Sequence, residues 1–76
     1  MEREPVDSSS LSSLGYDARR HVLEVVFRTG GVYRYLDVPE DAWTELRAAD
    51  SKGRYLNSEI KPRFRWRKVT PPNPRD

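Results

Sequence analysis

Residues 21–38 read HVLEVVFRTGGVYRYLDV, and this stretch largely determines the architecture. β-Branched and aromatic residues dominate both of its halves, which is typical of strands. Between the halves, Gly30 and Gly31 can supply the positive φ angles that a tight hairpin turn demands. The stretch therefore predicts a β-hairpin, and the length of its turn decides which side chains face the core.

The predicted turn has two residues, Thr29 and Gly30, at its centre. Moving the centre by one residue, to Gly30 and Gly31, keeps the same parity. Because opposed residues share a face of the hairpin, one face then carries a core set and the other a mixed set. A three-residue loop would reverse the faces and bury both tyrosines of the second strand. The predicted core set is Leu23, Val25, Phe27, Val32 and Leu36, and the mixed set is Glu24, Val26, Arg28, Tyr33 and Tyr35.

Outside the hairpin, the sequence predicts one earlier strand, two helices and one last strand. Leu11, Leu14 and Tyr16 have strand-compatible spacing. Residues 37–40 combine an acidic cap candidate with a proline near the first helical turn, and Ser51 can cap a second helix. The expected fold class is α+β. It consists of a small antiparallel sheet of three to four strands, at about residues 11–16, 20–28, 32–38 and 63–69, with two helices, at about 39–49 and 51–60, between strands 3 and 4.

The composition restricts the chain to one small domain. The chain has 76 residues, 36% hydrophobic and 34% charged, and it lacks the cysteines needed for a disulfide framework or a thiolate metal site. The sequence predicts flexible tails at residues 1–7 and 70–76, and a single domain at residues 8–69. No stretch approaches the roughly 20 apolar residues of a membrane span, and no signal peptide is evident. We therefore expect a cytoplasmic protein with no membrane partner.

Few residues offer catalytic or cofactor chemistry. His21 is the single histidine, and no carboxylates surround it at metal-ligand spacing, so neither a metal site nor a hydrolytic triad is predicted. Residues 51–57 contain Gly53 but lack the Walker pattern of a phosphate loop. We expect no catalytic residue, no metal and no cofactor, which favours a binding module over an enzyme.

Charge is distributed unevenly along the chain. Residues 1–50 carry six basic and ten acidic side chains, whereas residues 51–68 carry seven basic and one acidic. Such asymmetry in a short chain points to a polyanionic partner for the C-terminal third. A solvated basic face without a partner is the competing interpretation.

The last predicted strand, residues 63–69, alternates basic and aromatic residues. Arg63, Arg65 and Arg67 would project from one face, about 7 Å apart, where they can meet successive phosphates. Arginine offers planar bidentate contacts to phosphate. The competing interpretation is an edge strand that its charges protect from aggregation.

Two tyrosines of the hairpin form a second candidate feature. The rings of Tyr33 and Tyr35 point the same way because the residues lie two apart on one strand. Bordered by Arg28, Lys52 and Arg54, they would make a stacking platform for unpaired bases. Packing under a helix is the competing use, since a small domain needs its aromatic residues for burial.

Several short motifs resemble the KTSC domain, and the resemblance covers essentially the whole predicted domain. The matching elements, in order, are Ser9-Ser10, Gly15-Tyr16-Asp17, Leu23-x-Val25-x-Phe27, Gly30-Gly31, Tyr33-x-Tyr35, Asp37-Val38-Pro39 and Ala49-x-Ser51-x-Gly53-x-Tyr55-x-Asn57-x-x-Ile60.

The resemblance implies a family without an established function. KTSC domains occur as small free-standing bacterial and phage proteins and at the C-terminal end of some lysyl-tRNA synthetases, and RNA binding has been suggested for them. The Tyr33-x-Tyr35 motif matches the family's hallmark. Leu56 departs from the family pattern, in which an aromatic residue is common at that position, so no base-stacking role carries over to Leu56. The chain contains none of the ATP or amino-acid machinery of a synthetase.

Together these features predict a module that binds RNA or single-stranded nucleic acid. The alternative is a protein–protein interaction or self-association module, in which the exposed tyrosines and an edge strand add to a partner or to a second copy. The predicted nucleic-acid-binding residues are Tyr33, Tyr35, Lys52, Arg54, Arg63, Arg65 and Arg67.

Overall fold

The chain forms one antiparallel sheet with two helical segments packed on one side. The computed structural model describes residues 3–69. Each strand pairs with its neighbour in the sequence, in the order β1-β2-β3-β4-β5. The predicted α+β class is confirmed, with five strands where three to four were expected. The elements are β1 (Arg3–Pro5), β2 (Leu11–Asp17), β3 (Val22–Phe27), β4 (Val32–Tyr35), α1 (Glu40–Ala48), α2 (Lys52–Tyr55), which continues into a π-helical turn (Leu56–Ile60), and β5 (Trp66–Val69).

The hairpin between β3 and β4 has a three-residue loop, so the predicted two-residue turn is wrong. The Phe27 N–H donates to the Gly31 carbonyl at 2.8 Å, and the Gly30 N–H donates to the Phe27 carbonyl at 2.9 Å. Gly30 has a φ of 101°. A two-residue type I′ turn needs positive φ at both central residues, whereas a type I turn followed by one such residue closes a three-residue loop. The chain adopts the second geometry.

Both tyrosines of β4 consequently face the core. Val25 pairs with Tyr33 and Leu23 pairs with Tyr35. Tyr35 is 2% exposed, and Tyr33 is partly buried against the core. The predicted faces of β4 are therefore exchanged, because one extra loop residue moves every side chain of a strand to the other side of the sheet.

Residues 3–5 pair in the sheet, where the sequence predicts a flexible tail over residues 1–7. β1 pairs with β2, with Arg3 opposite Gly15 and Pro5 opposite Ser13. The Arg47 guanidinium of α1 lies 2.7 Å from the Glu4 carboxylate and ties the strand to the helix. Three residues that include a proline carry no strand pattern, so only tertiary contacts reveal this strand. The predicted tail over residues 70–76 lies outside the described residues.

The predicted helices form, and the last strand starts later than expected. The Ser51 hydroxyl accepts a hydrogen bond from the Arg54 N–H at 3.3 Å, which is the predicted cap of the second helix. The first helix begins after Pro39 without a side-chain cap, so the proposed Asp37 cap is not formed. Residues 61–64 form a turn, and only Trp66–Val69 pair as a strand. Pro62 ends the helical segment and the chain must turn before it can rejoin the sheet.

The core lies between one face of the sheet and the helices. The Tyr16 ring stacks on the Trp43 ring of α1 with their centroids 5.4 Å apart, and the Tyr16 hydroxyl donates to the Val38 carbonyl at 2.6 Å. Within residues 3–69, no helix is long and apolar enough to cross a membrane. The fully buried side chains are Leu11, Leu14, Leu23, Val25, Tyr35, Val38, Leu46, Leu56 and Ile60.

Candidate nucleic-acid interface

A groove opens on the helix-covered face of the sheet, where β3, β4 and β5 extend beyond the helices. Its volume is about 520 Å³. Aromatic side chains and glycine backbone form most of the wall, and two lysines stand at the rim. None of these lining residues is acidic. The groove is lined by Phe27, Thr29, Gly31, Tyr33, Tyr35, Lys61, Trp66 and Lys68.

Three aromatic rings, those of Phe27, Tyr33 and Trp66, form a continuous wall in this groove, which we call the aromatic groove. The Tyr33 ring meets the Phe27 ring edge to face at a centroid distance of 5.3 Å, and it meets the Trp66 ring at the same distance and an angle of 61°. Trp66 is 55% exposed. Edge-to-face contacts favour a fixed orientation of the rings, so Trp66 is oriented by Tyr33 while much of its surface stays free.

The cationic rim comes from two different elements. Lys61, in the turn after the helical segment, places its Nζ 5.4 Å from the centre of the Phe27 ring. Lys68 lies directly opposite Tyr33 in the β4–β5 ladder. A positive potential at the mouth of an aromatic groove suits a ligand that combines a flat ring with negative charge.

Tyr35 closes the inner end of the groove and does not present a free ring. Burial raises the pKa of the Tyr35 hydroxyl, and the neighbouring Tyr33 adds to this effect. Tyr33 and Tyr35 point the same way, as predicted, and of the two uses left open by the sequence, the buried Tyr35 adopts packing under the helices. The three-residue loop is the reason, since it turns this face of β4 toward the helices.

The three arginines of the predicted cationic strand do not form one row. Arg63 lies in the turn before β5, where its guanidinium is 4.0 Å from the Glu59 carboxylate. Arg67 lies in β5 on the opposite side of the sheet from Trp66, directly across from Arg34. Nevertheless, Arg63, Arg65 and Arg67 line one shallow cleft, and this cleft shares Lys61 and Trp66 with the groove.

Lys52 and Arg54, the remaining predicted site residues, are not brought to the groove. The Lys52 Nζ lies 3.5 Å from the Ala49 carbonyl oxygen. Arg54 lines a separate polar cleft with serines of the β1–β2 loop, and that cleft shares no lining residue with the groove. The predicted border of the tyrosines is therefore supplied by Lys61 and Lys68 instead.

Sequence reasoning missed Trp66, Lys61, Lys68 and Phe27 as members of the site. Phe64 and Trp66 alternate with arginines, a pattern that favours a core position for both aromatic residues. Within residues 3–69, however, β5 is an outer strand of the sheet, so Trp66 has a neighbouring strand on one side alone. The signal that could have found them is the alternative three-residue loop, which places the groove-lining residues of β3 and β4 on one face.

The open face of the sheet carries a row of charged residues from four of the five strands, with Gly15 of β2 in the remaining place. The charged residues are Arg3, Glu24, Arg34 and Arg67. Glu24 is 2% exposed, and its carboxylate accepts hydrogen bonds from Arg3 and, at 2.9 Å, from Arg34. Burial opposes ionisation of Glu24, but the hydrogen bonds from Arg34 and Arg3 outweigh it and lower the pKa of this carboxyl. Arg67 ends the row beside Arg34. Glu24 thus neutralises part of the positive charge of this face, and Arg67 stays exposed to solvent.

The remaining polar side chains offer little further chemistry. His21 is exposed at a turn with a φ of 57°. In the part of the chain that the structure describes, no group of three or more histidine, cysteine, aspartate or glutamate residues is placed to hold a metal ion. The arrangement fits reversible binding of a flat, negatively charged ligand.

The fold is that of a small α+β domain, and the comparisons place it in a family. The model of the KTSC domain matches residues 7–64. The chain therefore belongs to the KTSC domain family. A crystal structure of a KTSC domain protein from Yersinia pestis superposes with a TM-score of 0.87 at 45% identity, covering 91% of this chain and 97% of that one.

Relatives of two kinds are similar in sequence. An uncharacterized protein of Stutzerimonas stutzeri is 48% identical over 62 residues, which is 82% of this chain and 87% of the relative. A protein of Tsukamurella paurometabola is 42% identical over 62 residues, which is 82% of this chain and 92% of the relative. A lysine–tRNA ligase of Nostoc punctiforme is 30% identical over 84% of this chain, but that match spans 11% of the ligase. The domain thus occurs both alone and within a much longer ligase.

Proposed function

We propose that this domain binds single-stranded nucleic acid, with RNA favoured, and holds an unpaired base in the aromatic groove. The observation that carries the proposal is the exposed Trp66 ring, set against Tyr33 between Lys61 and Lys68. Every nucleobase has a flat π-surface, so a held aromatic ring accepts bases with little sequence preference. Such a contact contributes about 1–3 kcal/mol per base.

The flanking phosphates find partners beside the groove. Lys61 and Lys68 stand at its rim, and the adjoining cleft carries Arg63, Arg65 and Arg67. A strand that enters the groove with one base can lay its neighbouring phosphates along this cleft, since the two share Lys61 and Trp66. Lysine and arginine contacts to phosphate release counterions and make the affinity depend on salt.

The ligase relatives support RNA over other polyanions. Lysine–tRNA ligases of Nostoc punctiforme and Trichormus variabilis contain a segment similar to this chain. By their names these enzymes use a tRNA, and a tRNA-directed role for the shared segment would carry over to this chain. Because RNA is a cytoplasmic ligand, the proposal also places the protein in the cytoplasm. It is a proposal of binding, without catalysis.

A fluorescence titration tests the proposal directly. The chain has two tryptophans, and Trp43 is packed on Tyr16 away from the groove, so a Trp43→Phe variant reports Trp66 alone. We expect single-stranded RNA to quench Trp66 emission strongly and duplex RNA of the same sequence to quench it weakly, because paired bases cannot enter the groove. An unchanged Trp66 emission at RNA concentrations that saturate a nucleic-acid module would reject the groove as the binding site.

An amide-resolved titration maps the surface independently. Shifts are expected at the β3–β4 loop, at Lys61 and along β5. Shifts confined to the serine-lined cleft with Arg54 would transfer the nucleic-acid site to the other end of the domain.

A further inference from the structure

β5 forms the outer edge of the sheet, and its backbone leaves two residues ready to pair. The order of the strands gives β5 a single partner, β4, within residues 3–69. The Leu36 N–H donates to the Arg65 carbonyl at 2.8 Å, so these two residues form a hydrogen-bonded pair of the antiparallel ladder. Hydrogen-bonded and non-hydrogen-bonded pairs alternate along such a ladder.

This alternation decides which backbone groups point outward. One step from Leu36–Arg65, the pair Tyr35–Trp66 is non-hydrogen-bonded, and two steps further the pair Tyr33–Lys68 is as well. The N–H and C=O groups of Trp66 and Lys68 therefore point away from β4. They form a template on which an extended chain can add as a further strand.

The charge around this edge selects the partner. Residues 61–69 contain five cationic side chains and no acidic one. Arg65, Arg67 and Lys68 are exposed. A second copy of β5 would set these cations against each other, which is destabilising for directly opposed like charges. An acidic segment would instead complement them.

The two faces of β5 refine the chemistry of that segment. Arg67 lies on the open face beside Arg34, whereas Trp66 lies on the groove face with more than half of its surface in water, at 55% exposed. Because side chains of a strand alternate between faces, an added strand meets cations on one side and an indole ring on the other. Its best sequence alternates acidic and apolar residues.

We infer that β5 captures an extended segment of a partner protein in which acidic and apolar residues alternate. The segment pairs its backbone with Trp66 and Lys68, places its carboxylates against Arg65 and Arg67, and covers the free Trp66 surface with its apolar side chains. This interaction uses the backbone of β5, but it covers the Trp66 surface that a base in the groove would use, so the peptide and the base exclude one another.

A pair of variants at Lys68 isolates the backbone contribution. The Lys68 N–H points outward, so Lys68→Pro removes one donor of the edge and leaves the β4–β5 ladder intact. Lys68→Ala removes the same charge and keeps the donor. For an end-blocked peptide alternating glutamate and valine, we expect Lys68→Pro to bind about tenfold more weakly than Lys68→Ala, which is the fold-change for one unmade hydrogen bond. Equal affinities would overturn the inference, because binding would then depend on charge alone.

Hydrogen exchange on the unmodified protein gives a second readout that does not depend on how the variants fold. The Trp66 and Lys68 amides should exchange quickly in the free protein and become protected when the peptide is added, while the Arg67 amide is protected in both states. A bound peptide that leaves the Trp66 and Lys68 amides unprotected would contradict strand addition. An end-blocked peptide alternating lysine and valine should not bind, and binding by it would contradict the charge argument.

Two further outcomes separate this inference from other occupants of the edge. The affinity for single-stranded RNA should fall equally in Lys68→Pro and Lys68→Ala, because both variants lose the same charge. If the protein binds no RNA, the comparison of the two variants with the peptide can still be made. Concentration-dependent dimerisation that Lys68→Pro abolishes would identify a second copy as the occupant and overturn the acidic partner.

Discussion

Trp66 lies directly opposite Tyr35 in the β4–β5 ladder, yet Trp66 is 55% exposed and Tyr35 is 2% exposed. The two side chains share a face of the sheet. Tyr35 has strands on both sides and packs against the helices, whereas Trp66 stands on the last strand. The aromatic groove exists because this pair spans the boundary between the core and the solvent.

Replacing Trp66 tests the groove with little effect on the fold. We expect Trp66→Ala to weaken the affinity for single-stranded RNA roughly 5- to 150-fold, which corresponds to the loss of one base–aromatic contact. The free energy of unfolding should fall by about 1 kcal/mol, because half of the side chain is already in water. Fluorescence anisotropy with a labelled oligonucleotide and urea unfolding measure the two effects.

Trp43→Phe is the matched control, since Trp43 stacks on Tyr16 and does not line the groove. Its RNA affinity should equal that of the unmodified protein. If Trp66→Ala and the control bind alike, base stacking on Trp66 is wrong.

Salt dependence tests the phosphate contacts. The logarithm of the affinity for a single strand should fall linearly with the logarithm of salt concentration, with a slope of about −0.7 per phosphate contact. Lys61→Ala and Lys68→Ala should each reduce the magnitude of that slope by about 0.7. Lys52→Ala should leave it unchanged, because Lys52 lies outside both the groove and the arginine cleft. An equal change in all three variants would contradict a phosphate footprint confined to the groove and the arginine-lined cleft.

The sequence predicts the fold class well because its signals are local. The glycines between two β-branched runs predict a hairpin, and Ser51 indicates the start of the second helix. The KTSC motifs, such as Tyr33-x-Tyr35, agree with these local patterns. None of these signals depends on contacts between distant segments.

The groove depends on a smaller detail, the length of one loop. Thr29, Gly30 and Gly31 are compatible with either a two- or a three-residue connection, and the two differ in which face Tyr33 and Tyr35 occupy. The choice is made by packing, since the three-residue loop joins both tyrosines to the apolar set of β3. The position of Trp66 at the edge follows from the order of the strands, which residue patterns alone do not specify.

Glu24 provides a test of the charged row on the open face. Its carboxylate is buried between Arg3 and Arg34, and its pKa is lowered. A lowered pKa means that Glu24 stabilises the fold above the pKa of the unfolded chain, about 4.3, and that this contribution is lost as the pH falls through the folded pKa. Glu24→Gln should therefore lower the free energy of unfolding at pH 7 by about 1–3 kcal/mol and weaken the loss of stability on acidification.

Glu4→Gln is the control for Glu24, because the Glu4–Arg47 pair is roughly half exposed, at 46% and 52%. Exposed pairs contribute about 0–1 kcal/mol, so the control should change stability little at any pH. Urea unfolding between pH 3 and 7 compares the two variants. Identical pH profiles for Glu24→Gln and the unmodified protein would show that Glu24 does not stabilise the sheet as an ion.

The β3–β4 loop is expected to be sensitive at one glycine for a backbone reason. Gly30 has a φ of 101° and open space around the position of a Cβ atom, so Gly30→Ala introduces strain without a clash. We expect Gly30→Ala to lower the free energy of unfolding by about 1–3 kcal/mol, and Gly30→Asn to lower it less, since asparagine tolerates positive φ. Thr29→Ala, at the neighbouring loop position, should have a small effect. Urea unfolding that ranks Gly30→Ala with Thr29→Ala would contradict the three-residue loop, and with it the placement of Tyr33 in the groove.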